Sequence, residues 1–181
     1  MRISPLLVTV ALLLALAGCV PSDPHPSTSP SASATPVFAS DAEALAAAEK
    51  AYAAYLKVSD QVANDGGKNP ERLKSVATGS LLSDDLAGFA SFLEKRWHSI
   101  GKTDLTKTVL QSADLTHGGE GAVVVYICED VAGVDVVDQN GASVVSAERP
   151  ELQQFQVTFD LVHSQLTPSA REPWTGTNTC G

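Results

Sequence analysis

Three ionisable residues near the ends of apolar segments are the candidates for acid–base chemistry. Asp130 follows an apolar run, Asp160 lies within an alternating segment, and His163 comes directly after that segment. Proton transfer in small-molecule enzymes usually relies on a carboxylate or imidazole whose pKa is shifted by burial. Alternation turns Asp160 away from the apolar face, Asp130 is expected to begin a loop, and His163 to cap its strand or be exposed. The sequence therefore predicts no catalytic residue, although a register shifted by one residue would turn Asp160 inward.

Two further groups have part of the spacing of a metal site. Glu94 and His98 are four residues apart, which would place them on one face of a helix. A zinc site needs three or four ligands, so we interpret them as a helix-surface pair. Asp138, Asn140 and Gly141 resemble part of a calcium loop, but apolar residues occupy its first and twelfth positions, where acids are required. We expect neither a metal nor a cofactor.

Four aromatic residues have the size and the polar tips that suit a ligand pocket. They are Tyr52, Tyr55, Trp97 and Tyr126. Their helical and strand spacing is equally typical of ordinary core residues. The sequence leaves both interpretations open.

Composition restricts the class of partner. The chain has 181 residues, 44% of them hydrophobic, with 12 Lys and Arg against 21 Asp and Glu, and a formal net charge of −9. Nucleic-acid binders obtain affinity from clustered basic residues, and no basic run occurs here. We therefore expect no nucleic-acid partner. The length of the chain predicts one ordinary folded domain.

The N-terminus has the pattern of a secretory signal. Arg2 precedes an apolar segment that is shorter than the roughly 20 residues of a membrane span. Leu16-Ala17-Gly18-Cys19 then resembles the lipobox of bacterial lipoproteins at all four positions. This resemblance implies that residues 1–18 are a cleaved signal peptide and that Cys19 carries a lipid with acyl chains such as palmitate. An ordinary secretory signal is the alternative.

The lipobox resemblance also implies a location. Two acyl chains supply the firm anchoring that one chain cannot. The lipid membrane is therefore the first expected partner, and the chain would sit on the extracytoplasmic face of the cell membrane. Residues 19–37 are rich in proline and serine and nearly free of large apolar side chains. Such a segment cannot offset its chain entropy by burial, so we expect a disordered linker.

Residues 38–181 begin with helical patterns. Ser40 and Glu43 have the spacing of a capping box, and apolar residues then recur at a period of 3.6 as far as Val62. A short helix is predicted over 69–76 and a third helix from 83 to about 100. The buried stripe of the third helix is predicted to comprise Leu86, Phe89, Leu93 and Trp97.

The period then changes from 3.6 to 2. Residues 122–128 are apolar on both faces, which indicates a central strand. Asn140-Gly141 predicts a hairpin turn. The other strands are predicted over 105–115, 152–162 and 174–180.

Helices followed by antiparallel strands predict an α+β fold, with N-terminal helices packed on a curved antiparallel sheet. This order of elements over residues 40–180 resembles the cone fold of nuclear transport factor 2-like domains. Small lipoproteins of high-GC Gram-positive bacteria often combine that fold with a lipobox and a proline/serine linker. The resemblance carries no catalytic motif, and a different α+β sandwich remains an alternative.

The cysteine count adds one covalent prediction. If Cys19 carries lipid, Cys128 and Cys180 remain as an even pair in an oxidising compartment. We therefore predict a disulfide between them, which would tie the C-terminus to the central strand. Two free thiols are the alternative.

Three functions fit these expectations. We expect a non-enzymatic module that binds a small apolar ligand or an envelope protein, because no set of ionisable residues converges on inward positions. The alternatives are a lyase- or isomerase-type enzyme that uses the cone pocket, and a spacer or regulatory partner in a membrane complex. The fold alone does not choose among them.

Overall fold

The computed structural model describes residues 37–114 and 119–181. Within them, two α-helices pack against antiparallel sheets, so the predicted α+β class is confirmed. The predicted signal peptide (1–18), Cys19 and all of the predicted linker (19–37) except its last residue lie outside the described residues. The elements are α1 (Asp41–Asn64), a 3₁₀ helix (Pro70–Ser75), α2 (Gly79–Lys95), β1 (His98–Ile100), β2 (Asp104–Ala113), β3 (Val123–Asp130), β4 (Asp135–Val137), β5 (Leu152–Val162) and β6 (Gln165–Pro173).

Helix α1 begins where the capping pattern predicts. The Ser40 Oγ accepts a hydrogen bond from the Glu43 amide over 3.2 Å, and the Glu43 carboxylate accepts one from the Ala39 amide over 2.6 Å. At the other end, the Gly67 amide donates to the Val62 carbonyl and reverses the chain. Of the predicted apolar face, Leu45 and Ser59 are only half-buried. The buried residues of α1 are Ala44, which we did not predict, with Ala48, Tyr52, Tyr55, Leu56 and Val62.

The second half of the helical region differs from the prediction. The short helix is 3₁₀, and α2 begins at Gly79 instead of Ser83, after an extended Thr78 whose amide donates to the Pro168 carbonyl. Helix α2 ends at Lys95, because Arg96 takes a left-handed conformation with φ 55°. The chain therefore leaves the helix before Trp97, which is not part of the buried stripe of α2. Leu93, which we predicted to be buried, is 46% exposed.

The strands form two antiparallel sheets. The larger has the order β2-β3-β5-β6, and β1 pairs with β4 in a separate two-stranded sheet. Strand β3 is central, as its apolar run predicts, and it extends to Asp130. Helix α1 contacts both edge strands of the larger sheet, β2 and β6. The core lies between these elements, with Tyr52, Val125, Val157 and Phe159 at most 1% exposed.

The last strand was predicted in the wrong place. Strand β6 follows β5 after only two residues, His163 and Ser164, which both have positive φ, as a two-residue type I′ turn requires. Neither is the glycine or asparagine that marks such turns in a sequence. The segment 174–180 forms no strand. It packs on the outer face of β3 and β5 instead, with the ring of Trp174 centred 4.4 Å from that of Tyr126.

Two local predictions are confirmed. Asn140-Gly141 forms a turn in which the Gly141 amide donates to the Asp138 carbonyl, next to a bridge between Val137 and Ser143. Cys128 and Cys180 form a disulfide with their Cα atoms 5.3 Å apart. None of the helices in the described ranges has the length and apolarity needed to cross a membrane.

Candidate functional site

Five polar side chains come together between the helices and the larger sheet. We call this set the interior cluster. It comprises Tyr52 and Tyr55 from α1, Asp85 from α2, Glu129 from β3 and Arg171 from β6.

The local sequence explains why these side chains point inward. Tyr52 and Tyr55 are three residues apart and share one face of α1. Glu129 has the same parity along β3 as the buried Val125 and Ile127, so it faces the same side of the sheet. On β6, Arg171 lies opposite Val157 of β5, which is fully buried.

The hydrogen bonds of the cluster form two linked sets. The Tyr52 hydroxyl donates to Glu129 Oε1 over 2.5 Å, and the Tyr55 hydroxyl donates to Asp85 Oδ2 over 2.8 Å. Arg171 Nη1 lies 3.4 Å from the same Glu129 oxygen. The two tyrosine rings are 5.2 Å apart and join the sets. Every acid in the cluster therefore has a donor.

Burial dominates the electrostatics of the cluster. It raises the pKa of Glu129, although Arg171 and the Tyr52 hydroxyl act in the opposite direction. It also raises the pKa of Asp85, against the hydrogen bond from Tyr55. Burial raises the pKa of both tyrosines, so their hydroxyls stay protonated and donate. For Arg171 burial alone would lower the pKa, but the neighbouring tyrosines and Glu129 raise it, and the guanidinium stays charged.

The interior cluster was missed in the sequence. We ended the central strand at Cys128 and assigned no role to Glu129, although its parity with Val125 and Ile127 was a usable signal. Arg171 lay outside every predicted strand. Its charge gives no sign of burial, because Arg residues are rarely buried unless they are paired.

The four aromatic candidates do not form one pocket. Tyr52 and Tyr55 are buried within the interior cluster. Tyr126 is on the opposite face of β3, against Trp174. Trp97 lies beyond α2, and its ring contacts Phe92 at 6.2 Å and the Lys95 ammonium at 4.3 Å.

The three acid–base candidates also stay apart from the interior cluster. The Asp160 carboxylate accepts a hydrogen bond from the Gly121 amide over 2.8 Å. Asp130, predicted to begin a loop, is the last residue of β3, and its carboxylate accepts from the Ala132 amide over 2.8 Å. His163 is exposed in the β5–β6 turn, as predicted. Among the described residues, no hydrogen bond joins the side chain of any of the three to that of Glu129 or Arg171.

The two groups with part of the spacing of a metal site do not form one in the structure. Glu94 lies on α2 but His98 lies in β1, so the predicted helix-surface pair is wrong. The Asp138 carboxylate accepts from the amides of Asn140 and Ala142, and these bonds lower its pKa. Among the described residues, no group of three or more His, Cys, Asp or Glu side chains is arranged to hold a metal ion.

A groove on the surface is the best candidate binding site. It has a volume of about 350 Å³ and lies between α1, the end of the 3₁₀ helix and the start of β6. We call it the β6 groove. Lys50 is the single charged residue among those lining it. Its main apolar walls are Phe38, Ala47, Ala51, Ala54, Val76 and Leu166.

Alanines create the space in the β6 groove. Ala47, Ala51 and Ala54 occupy successive turns of α1, where longer side chains would fill the volume. A second groove of about 500 Å³ lies between the other side of α1 and β2, and it carries Glu49, Lys50 and Lys107. Neither groove is lined by a member of the interior cluster.

Comparison with known proteins gives a structural neighbour only. No protein-family model matches the chain, and no curated protein matches its sequence. The crystal structure of the intermembrane space region of the chloroplast protein ARC6 is similar to it, with a TM-score of 0.53 and 15% sequence identity. The match covers 71% of this chain and 95% of that chain. At this identity the likeness concerns the fold alone.

Proposed function

We propose that this chain is an extracytoplasmic lipoprotein whose domain is a non-enzymatic binding module, with the β6 groove as its binding site. The lipobox-like residues ending at Cys19 support the lipid anchor. The disulfide between Cys128 and Cys180 supports an oxidising compartment, where such bonds persist. The helices that precede an antiparallel sheet support a nuclear transport factor 2-like domain, which is part of the same proposal.

The binding function is supported by one contrast: the ionisable groups of the interior cluster are buried, whereas the β6 groove is open to solvent. A general acid or base must come within about 2.6–3.2 Å of the proton that it transfers. Glu129 is 3% exposed and bonded to Tyr52, so no substrate reaches it in this arrangement. The β6 groove, by comparison, is open and apolar and carries a single cation.

The size of the β6 groove sets the class of ligand. Its volume of about 350 Å³ is near the lower end of the range for ligand sites, about 300–1,000 Å³. The occupant is therefore a small apolar ligand, or a few apolar side chains of an envelope protein. Lys50 favours an anionic group on that occupant.

A fluorescent apolar anion tests the groove. The mature chain from residue 19, with Cys19→Ser to keep it in solution, is titrated with anilinonaphthalene sulfonate. Ala54→Phe fills the β6 groove, and Ala53→Phe is the matched control, since both alanines are exposed neighbours on α1.

We expect the native chain and Ala53→Phe to bind the dye, and Ala54→Phe to bind it about tenfold or more weakly. Equal binding by the two variants, or no binding by the native chain, would contradict the proposal. Folding of both variants is checked by circular dichroism.

A further inference from the structure

We propose that the β6 groove binds an extended, mainly apolar segment of another protein, which adds as a strand to the free edge of β6 at Leu166. This inference rests on the proposed function of the groove and names its partner. Strand addition supplies affinity through main-chain hydrogen bonds, while pockets for alternate side chains supply specificity.

The backbone of Leu166 faces away from its neighbouring strand. Leu166 lies opposite Leu161 of β5, and the Leu161 amide donates to the Gly119 carbonyl, on the side away from β6. In an antiparallel ladder, opposed residues either exchange both hydrogen bonds or direct both outward. The Leu166 N–H and C=O therefore point to the free edge.

The β5–β6 turn gives the same orientation independently. It closes between Val162 and Gln165, and the closing pair of a two-residue hairpin is hydrogen-bonded. The next pair along, Leu161 with Leu166, is then not bonded to each other. Within the described part of the chain, no backbone group at the free edge of β6 hydrogen-bonds to the Leu166 amide or carbonyl.

The next part of this edge, at Pro168 and Ser169, is protected. Pro168 has no N–H to offer, and its carbonyl accepts from the Thr78 amide over 3.0 Å. The Ser80 hydroxyl lies 3.4 Å from the carbonyl of Ser169. Such covering is how proteins usually prevent unwanted strand pairing. It stops short of Leu166, and the exposed stretch opens onto the β6 groove.

The dimensions of the groove suit an added strand. Neighbouring strands lie about 4.7–4.9 Å apart, so a strand paired with Leu166 would run above the alanine-lined side of α1. Every second side chain of that strand would point into the groove. Phe38 and Val76 would contact those side chains.

Charge and composition indicate the partner. Lys50 is the single charged lining residue of the groove, whereas the whole chain has a net charge of −9. An acidic residue next to the apolar ones would therefore be favoured. The chain's own linker is a poor occupant. Its longest proline-free run after Cys19 is no more than five residues and contains no large apolar residue. We therefore assign the site to a segment of a second protein.

The test uses peptides selected for binding to the mature chain carrying Cys19→Ser. A displayed library of random octapeptides is the probe, and the selected peptides are resynthesised with and without a methyl group on single backbone nitrogens. Leu166→Pro removes the amide donor at the free edge, and Leu166→Val is the control that keeps it. Hydrogen exchange of the Leu166 amide is followed in the native chain.

Strand addition predicts three results. Peptide binding is about tenfold or more weaker in Leu166→Pro than in Leu166→Val, which also shortens the side chain but keeps the amide donor. One N-methylated peptide binds more weakly by a similar factor, and the Leu166 amide becomes protected when peptide is bound. If Leu166→Pro does not fold, the N-methylated peptides and the exchange of the native amide give the answer.

The other outcomes overturn the inference in distinguishable ways. If Ala54→Phe prevents peptide binding but Leu166→Pro does not weaken it, the groove remains the binding site and strand addition is ruled out. Binding of the dye but of no peptide would do the same. A Leu166 amide that is already protected in the free chain would mean that the linker, or a second copy, occupies the edge. Failure of both dye and peptides would remove the proposed function itself.

Discussion

Tyr52 donates a hydrogen bond to Glu129 across 2.5 Å, and this bond joins residues 77 positions apart in the sequence. It links the middle of α1 to the end of the central strand β3. Glu129 is 3% exposed, so the bond lies out of reach of solvent. A buried carboxylate is costly unless it is hydrogen-bonded and paired. The position of Glu129 therefore depends on Tyr52 and on Arg171.

Loss of Arg171 should destabilise the fold in a pH-dependent way. Removing one partner of a buried pair costs about 3–5 kcal/mol. In Arg171→Met we expect about 3 kcal/mol at neutral pH, because the Arg171 side chain is 27% exposed and water screens part of the interaction. Urea unfolding measures the change. Arg72→Met, which breaks an exposed pair with Asp65, should cost no more than about 1 kcal/mol.

The direction of the pH dependence follows from the raised pKa of Glu129. A carboxyl whose pKa is higher in the folded state binds its proton more tightly there. It therefore favours folding below its ordinary pKa of 4.5, and this contribution is lost as the pH rises through the folded-state pKa. Arg171 lowers that pKa, so Arg171→Met should lose stability more steeply than the native chain above pH 4.5. If the free energy of unfolding of Arg171→Met ran parallel to that of the native chain across this pH range, the prediction would be contradicted. In the double variant Arg171→Met/Glu129→Gln, the free energy of unfolding should depend less on pH.

The Tyr52 hydroxyl should matter more than that of Tyr126. In Tyr52→Phe, Glu129 keeps its burial but loses a donor, which costs about 1–3 kcal/mol. Tyr126 lies on the opposite face of β3, against Trp174, and Tyr126→Phe should change the free energy of unfolding by less than about 0.5 kcal/mol. Both variants are measured by urea unfolding at neutral pH. Equal effects would show that the bond to Glu129 contributes nothing specific.

The disulfide should provide a large part of the stability. Cys128 and Cys180 are separated by 52 residues, and closing a loop of that length stabilises a fold by about 4 kcal/mol in the chain-entropy model. Cys180→Ser should lose most of this, and the native chain in reductant should unfold at the same urea concentration as the variant. Reductant should leave Cys180→Ser itself unchanged. Thiol labelling shows whether the reductant has opened the disulfide completely. If it has, and the native chain still unfolds at its original urea concentration, the prediction is contradicted.

Lipid attachment is tested by labelling in a bacterial host. With a palmitate analogue in the medium, the native chain should carry label and fractionate with membranes. Cys19→Ser removes the proposed acceptor thiol, so the label should disappear and the mobility of the chain should change. Cys180→Ser is the control and should keep its label. Label that persists in Cys19→Ser would refute the anchor.

The amphipathic elements were predictable because their patterns are local. Helix α1 repeats at 3.6 residues and has a cap at Ser40, and β5 alternates at period 2, so both lie where the sequence indicates. Strand β6 was not predictable, because it contains Pro168 and Pro173 and follows a turn without glycine. Element type is local information in the first two cases, whereas β6 is a strand mainly because β5 is its neighbour.

The interior cluster was unpredictable for a different reason. Its hydrogen bonds join residues that are 30, 42 and 77 positions apart, and no local spacing encodes such pairs. Glu129 alone could have been placed from its parity in β3. The β6 groove depends on alanines that are ordinary helix formers, so their sequence signal indicates a helix and not a site.

Gly101 should be among the least replaceable glycines of the fold. It has φ +88°, which disfavours any other residue, and a Cβ at this position would overlap the carbonyl of Gly133. Gly141 is the matched control, since it has φ +80° but open space around the same position. Gly141→Ala should cost about 1–3 kcal/mol from backbone strain alone, and Gly101→Ala should exceed it, because the backbone of residues 101 and 133 must also separate. Thermal and urea unfolding of the two variants measure the difference, and equal losses would mean that the contact with Gly133 adjusts at no cost.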